Sequence, residues 1–74
     1  MDSIFTRQQV IRGRYAINTF DSNGKQLMMI ESLITGQCDY PIVWPNGQLA
    51  YDWPEIWPKY FRIAVEKFAA SRII

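Results

Sequence analysis

Few side chains in this chain are of types that do chemistry, and their spacing does not bring them to bear on one another. The sequence holds one cysteine, Cys38, seven carboxylates and no histidine. Without imidazole the commonest general base is missing, and with it the usual activator of a serine or cysteine nucleophile. Cys38 has no activating neighbour in the sequence. Asp39, Asp52 and Glu55 are the closest group of carboxylates, and their spacing suits surface or capping roles, Asp52 as the cap of a turn over 52–55 ahead of the final helix. A lone cysteine with no histidine excludes both an intramolecular disulfide and a Cys/His zinc site. Gly24, Gly36 and Gly47 stand singly at turns, so no glycine-rich loop cradles a phosphate. The expectation is a protein with no catalytic residue, no metal and no cofactor, and therefore not an enzyme.

What the chain does concentrate is contact surface. Every proline follows an aromatic residue: Tyr40-Pro41, Trp44-Pro45, Trp53-Pro54 and Trp57-Pro58. Each pair joins a large rigid ring to a residue of fixed φ that lacks an N–H, and the ring-bearing residue is pushed out of the α region. All three tryptophans lie in this stretch. It is stiff, resists regular structure, and reads either as a recognition surface or as a core clamp.

The elements that must position these rings punctuate themselves. Alternation over 12–20 places Tyr15, Ile17 and Thr19 on one side of a strand and Arg14, Ala16, Asn18 and Phe20 on the other. Asn23-Gly24 closes a hairpin to a second strand over 26–34, whose apolar Leu27 to Ile30 suggests cover on both faces. A third strand over 38–44 is confined to an edge or bulge by Pro41, and Pro45-Asn46-Gly47 turns it into a fourth over 48–51. Phe61, Ala64, Val65 and Phe68 then recur at helical spacing, giving an amphipathic helix over 58–72 with Pro58 in its first turn. Arg62 and Glu66, four apart, fall on its outer face, in the weaker order for an ion pair. Residues 6–11 read as a helical turn or as the start of a long first strand, with the strand preferred. The fold class is therefore α+β: a three- or four-stranded antiparallel β-meander with a C-terminal amphipathic helix packed on one face.

Size limits how such a fold is stabilised. A single domain of 74 residues buries only about 60% of its unfolded surface. With no disulfide or zinc site, packing and association must close the gap, and homodimerisation or binding to another protein is expected. No segment resembles a secretory signal or reaches the roughly twenty apolar residues that span a bilayer. The unpaired cysteine suits a reducing, cytoplasmic setting, with no membrane partner.

Two functional readings follow. In the first, the chain is a small protein-interaction module that homodimerises, or binds and inhibits or adapts a larger partner, as accessory proteins of bacteria and phages do. Its contact residues are Tyr40, Trp44, Trp53 and Trp57 with Met28 and Met29, residue types enriched at interface cores. The competing role for each ring is filling a small core. In the second reading, Arg12 and Arg14 hold phosphates beside Tyr15 and Phe20, which stack bases on a sheet face of a nucleic-acid-binding regulator. A net charge of +1 and the absence of any recognised nucleic-acid motif weigh against it.

Overall fold

In a computed structural model of the chain, residues 5–22 and 25–71 are described. They form two units that divide between Tyr40 and Pro41. The first unit is a four-stranded antiparallel sheet in the order β1-β2-β3-β4, with β1 at Phe5–Ile11, β2 at Tyr15–Ser22, β3 at Lys25–Ser32 and β4 at Cys38–Asp39. The second holds a two-stranded ribbon, β5 (Ile42–Val43) with β6 (Leu49–Ala50), and the C-terminal helix α1 (Lys59–Ala70). The chain is an α+β protein, and among its described residues no helix is long and apolar enough to cross a membrane.

Residues 12–14, expected at the start of a strand, form a turn instead. The Arg14 N–H donates to the Ile11 carbonyl at 3.1 Å, and Arg12 and Gly13 between them have φ of 54° and 69°. Positive φ at both central positions is the mirror-image geometry that matches the twist of paired strands. The turn makes 5–11 a strand in its own right, paired with β2 through Gln9↔Ile17 and Ile11↔Tyr15. No sequence signal marks this turn strongly, because arginine rarely adopts positive φ.

The next hairpin pairs Ser22 with Lys25. Its expected turn residues, Asn23 and Gly24, lie outside the described residues. At its far end β3 stops at Ser32, short of the expected Ile34. The Ser32 hydroxyl accepts hydrogen bonds from the Ile34 and Thr35 N–H groups at 3.3 and 3.1 Å, which gives those amides a local alternative to the ladder. Gly36, at φ 83°, then turns the chain into β4. A Cβ at Gly36 would meet nothing within 4 Å, so Gly36→Ala pays only the backbone strain of a left-handed residue. We expect a loss of about 1 kcal/mol, read as a Tm roughly 4–8 °C lower.

The expected strand over 38–44 is divided by Pro41. Cys38 and Asp39 pair with β3, whereas Ile42 and Val43 pair with Ala50 and Leu49 of β6. Proline supplies no N–H to either ladder, so the chain ends one pairing there and begins another.

The period-2 alternation of β2 and β3 assigns the faces of the sheet. Ile17 sits opposite Ile30 and Thr19 opposite Met28, and all four are buried. On the other face Asn18 is 0% exposed and central to a polar ladder across three strands. Gln8 donates from Nε2 to Asn18 Oδ1 at 2.7 Å, and Asn18 donates from Nδ2 to Glu31 Oε1 at 3.0 Å. A buried amide is tolerated because both ends of it are bonded.

Candidate partner-binding surface

The ribbon owes its shape to the Trp44-Pro45-Asn46-Gly47 turn. Pro45 presets φ for the second position, and Gly47 (φ 86°) supplies the left-handed residue that closes a three-residue hairpin loop. The Gly47 N–H donates to the Trp44 carbonyl and the Trp44 N–H to the Gln48 carbonyl, both at 2.8 Å. The Asn46 side chain accepts from the Gln48 N–H at 2.9 Å. Exposure alternates along the segment that enters this turn. Tyr40, Ile42 and Trp44 are 63%, 58% and 51% exposed, whereas Pro41 is buried and Val43 half-buried. Ile42 and Trp44, two residues apart where the extended chain enters a tight hairpin, turn toward water together and make a rigid contact strip.

Residues 51–62 lock the other rings. The Tyr51 and Trp53 rings meet edge to face at 4.9 Å and 80°. Trp57 is 0% exposed, lies against Phe61 at 5.5 Å, and donates from Nε1 to the Tyr51 hydroxyl at 3.1 Å. The Trp57 N–H closes a turn on the Pro54 carbonyl at 3.3 Å, and Asp52, expected to cap that turn, makes no hydrogen bond among the described residues. Pro58 is the N-cap of α1, not its first helical residue, and its carbonyl accepts from the Phe61 and Arg62 N–H groups at 3.0 and 3.1 Å.

Arg62 was not singled out by sequence beyond an outward-facing pair with Glu66. Its guanidinium reaches backwards instead, donating from Nε to the Trp57 carbonyl at 2.7 Å and from Nη2 to the Pro54 carbonyl at 3.1 Å. The same group lies over the Trp53 ring at 5.9 Å from its centroid. Its spacing from the aromatic–proline pairs, eight residues from Pro54 and five from Trp57, was the only available signal. Two charge-assisted bonds and a cation–π contact predict that Arg62→Ala costs about 2 kcal/mol in urea unfolding. Arg62→Lys should restore less than half of that, since an ammonium cannot fork to two carbonyls.

The structure separates the residues that sequence grouped as contacts. Tyr40 and Trp44 are exposed, Trp53 and Met29 half-buried, and Trp57 and Met28 buried in the interior. The last two are core side chains and leave the contact surface; Ile42, which pattern alone did not single out, joins it. The residues grouped for nucleic acid also part. Arg12 and Arg14 are exposed at the β1–β2 turn, but Tyr15 and Phe20, five apart on β2, point to opposite faces. They do not form one stacking platform. Among the described residues no group of His, Cys, Asp or Glu is placed to hold a metal ion. Cys38 is exposed, with its thiol near the Gly36 carbonyl at 3.6 Å.

Comparison with protein-family models, curated proteins and solved structures finds no match to this chain.

Proposed function

We propose that this protein is a small non-enzymatic interaction module that engages another protein, a larger partner or a second copy of itself, through the β5–β6 hairpin. The observation that carries the reading is the exposure of Ile42 and Trp44 on one face of a ribbon whose turn is fixed by hydrogen bonds. A rigid, exposed tryptophan brings large apolar area to a contact at low entropic cost, which is why tryptophan dominates interface energetics. In the alternative reading, Arg12 and Arg14 at the β1–β2 turn hold a nucleic acid by its phosphates.

Site-specific photo-crosslinking in cells separates the two. A photoreactive residue at position 44 is expected to trap protein, and one at position 12 is expected to trap no nucleic acid. Nucleic acid trapped from position 12 with nothing trapped from position 44 would overturn the proposal in favour of the alternative. Purified Trp44→Ala should keep the wild-type circular dichroism spectrum, so that its loss of binding reports on contact and not on folding.

A further inference from the structure

The same hairpin borders a shallow pocket of about 370 Å³, lined by Gly47, Gln48, Leu49, Tyr51, Trp53 and Glu66. We propose that this pocket receives a basic side chain, lysine or arginine, of the protein partner; the inference rests on the interaction-module reading and names the chemistry of what is bound. Three observations converge on it. Glu66 is the only charged residue in the lining, and among the described residues its carboxylate makes no hydrogen bond or ion pair. Arg62, four residues before it and its expected partner, is turned away to the Pro54 and Trp57 carbonyls. Among the described residues, then, no side chain pairs with the negative charge that Glu66 brings to the pocket. The remaining wall supplies two aromatic rings held edge to face, Tyr51 and Trp53. Aromatic faces attract cations through the ring quadrupole, and Trp53 already takes the chain's own Arg62 guanidinium at 5.9 Å.

The occupant follows from charge and shape together. A carboxylate beside aromatic rings repels a phosphate or an acidic peptide, and a purely apolar side chain would leave Glu66 unpaired against it. A lysine or arginine lays its aliphatic stem along Leu49 and the rings and brings its charged end to Glu66.

The test is an NMR titration of the full chain, following the tryptophan indole N–H signals and the Gly47 amide. The probes are N-acetyl-lysine methylamide, N-acetyl-arginine methylamide, and the uncharged N-acetyl-norleucine methylamide. The basic probes should shift the Trp53 and Gly47 signals with a dissociation constant in the roughly millimolar range expected of a single side chain, and norleucine should bind about fivefold more weakly. Glu66→Gln, at an exposed position, should fold normally and remove that fivefold preference. Equal binding of norleucine, a preference that survives Glu66→Gln, or no shift with any probe would each overturn the proposal. A single-stranded oligonucleotide that shifts the pocket signals would overturn it too. Crosslinking of protein from position 44 is independent of all these outcomes, so the pocket can fail while the interaction module stands.

Discussion

Replacing Trp57 by alanine should remove about half of the chain's net stability, whereas replacing Trp44 by alanine should change it by no more than about 0.5 kcal/mol. A chain of 74 residues has roughly 4–11 kcal/mol of net stability. Trp57 is fully buried, packs on Phe61, and satisfies its indole N–H on the Tyr51 hydroxyl. Truncating a buried tryptophan typically costs 3–5 kcal/mol, set by the cavity left behind, so about half of the total is removed at one position. Trp44 leaves no cavity, because half of its surface already faces water. Far-UV circular dichroism with urea denaturation distinguishes the two. A Trp57→Ala protein with wild-type midpoint would show that the 51–62 segment is not the core of its unit.

The second large effect concerns the polar ladder of the sheet. Asn18→Asp keeps the shape of the side chain but replaces an amide donor by a carboxylate that faces Glu31. The introduced carboxyl occupies a position with no solvent access and has a second carboxylate where its hydrogen-bond acceptor was. Burial and the like charge both favour its neutral form, so its folded-state pKa lies above the usual value near 3.9. With the folded state holding the proton more tightly, stability falls as pH rises through the folded pKa. At neutral pH the variant should be about 3 kcal/mol less stable than the parent, and the difference should shrink as the pH is lowered toward the unfolded value. Thermal melts of both proteins from neutral to acidic pH measure this difference. A gap that is constant with pH would mean that the carboxyl escapes to solvent.

How far the architecture was legible depends on how local its causes are. Alternation in 15–20 and the 3.6-residue spacing of Phe61, Val65 and Phe68 are properties of a few neighbours, and β2 and α1 follow them. The separate strand β1 was obscured because its turn is made by Arg12, a residue with no preference for positive φ. The division at Pro41 was half legible: a proline interrupts a ladder predictably, but which strand each half joins depends on residues far along the chain. The site was harder to read. Trp44, Trp53 and Trp57 carry the same local signature, an aromatic ring before proline, and only the tertiary arrangement exposes the first, half-covers the second and buries the third. Arg62 was missed as a clamp because helical spacing assigns it to Glu66, while backbone carbonyls, present at every residue, give no pattern to search for.

The clamp also bears on the order in which the chain acquires structure. The Arg62 bonds reach back five and eight residues, and the Trp57–Tyr51 bond six. Closing a loop of about ten residues takes only about 10–100 ns, far less than bringing distant strands together. Residues 51–62 therefore need no distant part of the chain to find their partners, and they are suited to organise early, presenting the first turn of α1 as a preformed nucleus from which the rest of the helix extends.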